Sequence, residues 1–342
     1  MAFASGGRSA EGYVRRVVHR PGTALENNMG DTTDNLRVAT GVLRIGTRGS
    51  LLARTQTGWV ADLIREANPG LTVEIEIIQT TGDMRRDVPF ASVGTKGMFV
   101  KEIEQALLER RIDLGVHSLK DMPSELPDGL ELACVPVRES PFDALIGRTA
   151  AALRDLPEGA AVGTSSTRRS AQLRHLRPDL RIEELRGNLD TRIRKLDEGQ
   201  YDAIVLAAAG LNRLGWGGRI TEILGPEMCV PAAGQGALAL EIRAADDNAR
   251  ASLAPIHDSC SADAIAAERA FLAALGGGCS VPAGAFAEID GSQITMVAMV
   301  AAPDGSRVVR GKSRGDRNEA AQLGAALAAQ LLSEGANELL QR

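Results

Sequence analysis

The 342 residues are more than one typical core accommodates and enough for two or three domains. Hydrophobic residues make up 44%, yet no apolar run approaches the ~20 residues of a membrane helix, and a net charge of −5 argues against a general nucleic-acid binder. Four cysteines, at 134, 229, 260 and 279, form no CxxC pair and no metal spacing, which predicts a reducing compartment, no disulfide framework and no metal site.

Residues 1–40 lack sustained periodicity and read as a disordered N-terminal extension. The extension is too weakly apolar for a secretory signal; Arg15, Arg16 and Arg20 leave a transit peptide open, and Met29 is an alternative start. The expected location is therefore cytoplasmic, or a plastid if the extension is a transit peptide. From Leu43 the pattern becomes βα. Leu43–Thr47 predicts a buried strand, and Ser50 an N-cap for a helix reaching about Ala67. Leu71–Gln79 alternates, with Val73, Ile75 and Ile77 on one face. Residues 80–98 predict a long loop, Phe99, Ile103 and Leu107 a helix face, and Asp113–Ser118 a strand. A second βα series starts near Asp143, with strands predicted at Ala144–Gly147, Ala161–Thr164, Arg181–Leu185 and Ala203–Ala208 and helices over 166–176 and 189–198. Alternation of this kind predicts mainly parallel sheets with ligands at the strand ends. The tail predicts a helix over 261–275, a Gly276-Gly277-Gly278 break, strands near 284–289, 294–301 and 306–312, and a closing Ala/Leu helix, which together make a small α+β domain.

Of the 39 basic residues, Lys96, Lys101, Lys120, Lys195 and Lys312 are lysine and the other 34 are arginine. Codon bias explains most of that preference, so position matters more than number. Three loops place small residues and arginine between a strand end and a helix start: Arg48-Gly49-Ser50, Gly163 to Arg169, and Leu185-Arg186-Gly187-Asn188 followed by Arg192. Helix N-termini favour anions, and guanidinium adds charge-assisted bonds. One such loop is usually an ordinary solvated turn; three in one α/β chain point to a ligand bearing several carboxylates or phosphates. No Walker or dinucleotide glycine pattern selects a nucleotide. His117 to Pro123, containing Lys120 and Asp121, reads either as a polar turn or as a carboxylate placed in a cleft, while His117 itself reads as structural. Cys279, after three glycines, reads either as a small buried residue near a helix end or as an accessible nucleophile. Cys134, Cys229 and Cys260 read as inert.

From about Leu43 onward the chain resembles the porphobilinogen deaminase family. The resemblance rests on Arg44 to Ser50, Val93 to Phe99, His117 to Pro123, Val162 to Arg169, Leu185 to Asn188, Tyr201 to Gly210, Pro231 to Ala237 and Gly277 to Pro282, in the family's order. It implies two periplasmic-binding-protein-like lobes joined by two crossing segments, with a smaller C-terminal α+β domain. Domain one would take residues 41–138 and 232–255, domain two 139–231, and the third domain 256–342. It further implies a transferase, hydroxymethylbilane synthase, which joins four porphobilinogen molecules head to tail, releases ammonia and serves haem, chlorophyll or cobalamin biosynthesis. The implied cofactor is a dipyrromethane primer held covalently by Cys279 and bound by Lys120, Ser166, Arg168 and Arg169. Arg48, Ser50, Arg186, Arg192 and Arg213 would contact the substrate or the growing chain, and Asp121 would be the catalytic carboxylate. The acetate and propionate arms of porphobilinogen account for the arginines, and an ionised Asp121 could stabilise the cation left by ammonia loss. The implied partner is porphobilinogen alone, without nucleic acid or membrane, and the implied state is a monomer.

Leu51, Arg85, Arg86 and Asp190 depart from the family pattern, and Asp190 places an acid beside Arg192. Two other classes suit parts of the sequence. A solute-binding module would use two lobes and arginine loops but needs no thiol on a triglycine loop; an inactive scaffold would not need Cys279 and Asp121.

Overall fold

The computed structural model describes residues 41–81, 100–123, 125–276 and 282–340. The predicted extension, most of the 80–98 loop with Arg85 and Arg86, and Cys279 lie outside the described residues.

The first lobe begins with β1 (Gly41–Thr47), α1 (Leu51–Ala67) and β2 (Leu71–Ile77), followed by α2 (Lys101–Leu108), β3 (Leu114–Ser118), a 3₁₀ turn at Leu119–Asp121 and β4 (Leu130–Cys134). The second lobe holds β5 (Asp143–Gly147), β6 (Ala161–Gly163), α3 (Thr167–Leu176), β7 (Arg181–Glu183), α4 (Leu189–Asp197), β8 (Ala203–Ala207), α5 (Ala208–Arg213) and β9 (Glu222–Leu224). The chain then re-enters the first sheet with β10 (Leu238–Arg243), followed by α6 (Asp247–Leu253).

Two five-stranded sheets result, ordered β2-β1-β3-β10-β4 and β7-β6-β8-β5-β9. Both are second–first–third–returning–last arrangements, so the lobes share one topology, of the periplasmic-binding-protein kind that the resemblance implies. The expectation of mainly parallel sheets needs correction. β1 pairs parallel with β2 and β3, and β6 with β7 and β8, whereas β10 and β5 each pair antiparallel with both neighbours. The returning strands run against the βα series because they enter from the crossing segments rather than from a helix.

Apolar side chains from α1 and the first sheet, among them Ile45, Val60, Ile64, Leu114 and Leu240, form one core; Ile103, Leu107 and Ile112 fill the opposite face. Fully burying a side chain of this size contributes roughly 1.5–3 kcal/mol. Val73 joins that core as the alternation of β2 predicts, but Ile75 and Ile77 remain 42% and 51% exposed, because β2 is the edge strand. In the second lobe Leu145, Val162, Leu173 and Val205 pack on one face and Ile146, Leu185, Ile193 and Ile204 on the other.

The two crossing segments lie against each other. Gly236 has φ +88°, and a Cβ there would meet the carbonyl oxygens of Glu139 and Ser140 at 2.3 and 2.7 Å, so this approach requires glycine. Beyond them α7 (Ser259–Ala274) leads to an antiparallel meander of β11 (Ala283–Asp290), β12 (Gln293–Ala301) and β13 (Val308–Asp316), then α8 (Ala320–Leu331) and α9 (Asn337–Leu340). Phe271, Met296, Leu327 and Leu331 centre its core. The unit is tied to the first crossing segment by a buried bidentate pair, Arg138 Nη1 to Glu268 Oε1 at 2.7 Å and Nη2 to Oε2 at 3.0 Å.

Candidate active site

Because the central strands of both lobes end toward the gap between them, the loops that follow them face each other there. After β1, Ser50 accepts from the Ala53 N–H at 3.3 Å and caps α1. After β6, Ser166 accepts from the Arg169 N–H at 3.4 Å and caps α3. The turn after β3 supplies Lys120 and Asp121, the loop before α4 supplies Arg186, and α4 and α5 supply Arg192 and Arg213.

These elements enclose a cleft of about 440 Å³. Eight of the residues singled out in the sequence line it together: Arg48, Ser50, Lys120, Asp121, Arg169, Arg186, Arg192 and Arg213. Six cations against the two carboxylates Asp121 and Asp190 make it a site for an anion.

Beneath the cleft sits Asp143, with no accessible surface. It accepts from Arg168 Nη1 at 2.7 Å and Nη2 at 3.2 Å, from Arg169 Nε at 2.8 Å and from Gln235 Nε2 at 2.9 Å, while the Cys229 thiol lies 3.3 Å away. Burial alone would raise its pKa, but the two guanidinium groups outweigh burial and hold the carboxyl far below the usual range. Arg168 is thereby committed: its Nη1 also donates to the Val230 carbonyl at 2.7 Å, and it stands behind the cleft wall rather than in it. Ser166 likewise serves as a cap and does not line the cleft.

Gln235 links the lobes. Its amide nitrogen donates to Asp143 and to the Pro141 carbonyl at 2.8 Å; its oxygen lies 3.4 Å from both Lys120 Nζ and Arg169 Nη2. The surrounding protein pushes the Lys120 pKa down to about 8, desolvation first and the like charges of Arg169 and Arg168 after it, against Asp121 and Asp143. The Lys120 side chain is nonetheless exposed where it lines the cleft, which moderates that desolvation. Arg192 is lowered to about 10 by burial and then by Arg169, opposed by Asp121, and stays charged at neutral pH. Its Nε donates to the Gly187 carbonyl at 2.8 Å, leaving both terminal nitrogens without a partner among the described residues. Arg186 pairs with Glu184 at 2.6 Å. Asp121 is exposed to the cleft and has no hydrogen-bond partner among the described residues.

His117 is a buried partner of Glu241, Nε2 to Oε2 at 3.0 Å, as a structural histidine should be. Burial pushes the Cys134 and Cys229 thiols up to about 12, which makes them poor nucleophiles at neutral pH. Cys260 is exposed on α7. Sequence reasoning gave no role to Asp143 or Gln235. An acid opening the apolar run Asp143-Ala144-Leu145-Ile146 was the available signal, since such an acid needs a buried partner.

Residues 43–251 match a family model described as porphobilinogen deaminase, dipyromethane cofactor binding domain, and residues 262–333 match the porphobilinogen deaminase C-terminal domain. A porphobilinogen deaminase of Roseiflexus sp. strain RS-1 is 53% identical over 298 residues, covering 87% of this chain and 98% of that protein. One of Syntrophobacter fumaroxidans is 49% identical over 300 residues, covering 88% and 97%. Among solved structures, a putative methionine-binding lipoprotein of Bacillus subtilis aligns with a TM-score of 0.39 at 14% identity, over 64% of this chain and 90% of its own. With a cationic cleft between two lobes, and with relatives matched over nearly their whole length, the chain belongs to the porphobilinogen deaminase family.

Proposed function

We propose that the cleft is where this chain, as a hydroxymethylbilane synthase, condenses four porphobilinogen molecules head to tail in tetrapyrrole biosynthesis. The observation that carries this reading is the gathering of six cationic side chains in one cleft with Asp121, an exposed carboxylate that has no hydrogen-bond partner among the described residues. Each porphobilinogen unit brings an acetate and a propionate, so substrate, primer and growing chain are all polyanions. The donors left over by protein contacts suit them: the terminal nitrogens of Arg192, the Lys120 ammonium and the Arg213 nitrogens beyond its one backbone bond.

The dipyrromethane cofactor fits the same chemistry, and when bound it supplies the pyrrole carbon from which the chain is extended. In this reading Cys279 holds it by a thioether, while Lys120 and Arg169 receive its carboxylates. Arg168 contributes through Asp143, which fixes the neighbouring Arg169, and Ser166 contributes by capping the same helix. Arg48, Arg186, Arg192 and Arg213 take the carboxylates of incoming and added units, and Ser50 orders the loop that carries Arg48. Asp121 faces the position where ammonia leaves the substrate. Its negative charge stabilises the cation that forms, and its oxygens carry protons to and from the pyrrole ring. Domain one as residues 41–138 with 232–255, domain two as 139–231 and a third domain from 256 follow the two crossings of the chain between sheets. No helix among the described residues is long and apolar enough to cross a membrane, and a cytoplasmic monomer without nucleic-acid or membrane partners suits the reading.

The test is the mass of the denatured protein purified from cells that make porphobilinogen. It should exceed the polypeptide mass by a dipyrromethane, with the adduct mapping to the Cys279 peptide, and Cys279→Ser should return the bare mass. Bare polypeptide in the unsubstituted protein would favour an organic-anion binder, and an adduct on Cys134, Cys229 or Cys260 would overturn the assignment of Cys279.

A further inference from the structure

Arg213 belongs to the second lobe, yet its fixed contacts are with the first lobe and the crossing segments. Its Nη2 donates to the Gly236 carbonyl at 2.7 Å, and its guanidinium carbon stands 6.0 Å from the ring centroid of Trp59 on α1. The neighbouring Asn212 donates to Glu139 Oε1 at 3.0 Å, across to the other crossing segment. The lobes also meet at residue 210, where a Cβ on the glycine would stand in ordinary contact, 3.5 Å, with Leu52 Cδ2 of α1. Burial lowers the Arg213 pKa to about 10, with Glu139 opposing, so the group remains a cation at neutral pH. Arg213 also lines the cleft, and its Nε and Nη1 have no partner among the described residues. Trp59 is 39% exposed, so its ring is only partly covered by the core.

We propose that Trp59 is a positioning residue for the reaction: its ring and the Gly236 carbonyl hold Arg213 across the gap between the lobes, so that the unbonded nitrogens of Arg213 are preset to take a substrate carboxylate. Arg213 is thereby a cation shared by both lobes. A flexible arginine loses rotamer freedom on binding an anion, and one already held against an aromatic face loses less. This inference rests on the reading of Arg213 as a substrate contact.

The test compares primer-loaded enzyme with Trp59→Leu, Trp59→Phe and Arg213→Leu, each checked for primer by intact mass. Trp59→Leu should keep its primer and its kcat within about twofold while KM for porphobilinogen rises ~2- to 10-fold, the effect of releasing one side chain from a preset position. Trp59→Phe should recover most of the loss, which mere gap-filling by Leu would not. In a Trp216→Phe background, where Trp59 is the sole tryptophan, porphobilinogen should change the emission, and adding Arg213→Leu should abolish that change. An unchanged KM in Trp59→Leu beside a raised KM in Arg213→Leu overturns the positioning role alone. An unchanged KM in both overturns the assignment of Arg213 beneath it. If Trp59→Leu fails to fold, the Trp59→Phe kinetics and the emission experiment still decide.

Discussion

Asp143→Asn is the substitution to which the site should be most sensitive, although Asp143 never meets the cleft. The amide keeps the shape but removes the charge that balances Arg168 and Arg169, and it turns a donor toward groups that only donate. Arg168, Arg169 and Gln235 each hold a backbone carbonyl as well, those of Val230, Val205 and Pro141, but all three converge on this carboxylate. Removing one member of a buried ion pair typically costs ~3–5 kcal/mol, because the remaining charge stays buried. At ~2–4 °C per kcal/mol that is a fall in Tm of roughly 6–20 °C. Thermal unfolding of the primer-loaded protein reads this directly, and intact mass reads the fraction that acquired primer, which should fall with Arg169 misplaced. The pH dependence has a definite sign. A carboxyl whose pKa is depressed on folding contributes stability above the ordinary carboxylate range and loses it as pH falls toward the folded value. The gap in Tm between wild type and Asp143→Asn should therefore hold steady from pH 6 to 8 and narrow only below roughly pH 4. A variant with wild-type Tm and full primer at pH 7 would refute the argument that this buried charge organises the cationic wall.

Asp121→Asn should retain primer and stability but lose ~10²-fold or more in turnover, measured as product formed per primer-loaded enzyme; near-normal turnover removes Asp121 from the chemistry. With a pKa of about 8, Lys120 should lose its charge between pH 7 and 9, so capture of primer by the primer-free protein, read by intact mass, should weaken across that range in the wild type. Lys120→Met should flatten the profile at a weak-binding level, and an inflection near pH 8 that survived the substitution would belong to another group. In stability the sign is reversed: a lysine with a depressed pKa penalises folding while charged, so the penalty fades as pH rises from about 8 toward the unfolded value.

Much of this fold was legible because its signals are local. Ser50 caps the helix that its position predicts, the helix expected over 166–176 is found at Thr167–Leu176, and the predicted strands over 144–147 and 203–208 agree with the observed ones to within a residue at each end. What was illegible depends on distant partners. β10 is a short apolar run that periodicity cannot separate from a helix, and its direction follows from pairing with β3 and β4. Ile75 and Ile77 alternate like core residues but sit on an edge strand. Part of the cationic cleft was legible as three loops, which carry Arg48, Arg169, Arg186 and Arg192; Arg213, at the end of α5, entered only through the family resemblance. Asp143, Gln235 and the contact of Arg213 with Trp59 were not, because each joins residues from separate segments; Asp143 and Gln235 stand 92 positions apart. Arg168 and Arg169 look alike in the sequence and differ only in what lies beside them, Val230 for one and the cleft for the other.

The return of β10 to the first sheet has a consequence for how the molecule is made. β10 separates β3 from β4, and its Glu241 meets a His117 that is synthesised 124 residues earlier. A ribosome-bound chain that has emerged only through β9 holds every strand of the second sheet but lacks the strand that joins β3 to β4 in the first. β3 then has one bare edge, and β4 has no described strand beside it. The later-encoded lobe is therefore the first that can close, while the earlier one waits with unpaired backbone, the condition in which strands recruit the wrong neighbours. Long-range pairing of this kind also slows folding from the unfolded state. Holding back the last hundred or so residues during synthesis is thus the stage at which this chain most needs protection, and variants that weaken β10 should show it first as lost yield rather than as altered kinetics of the folded enzyme.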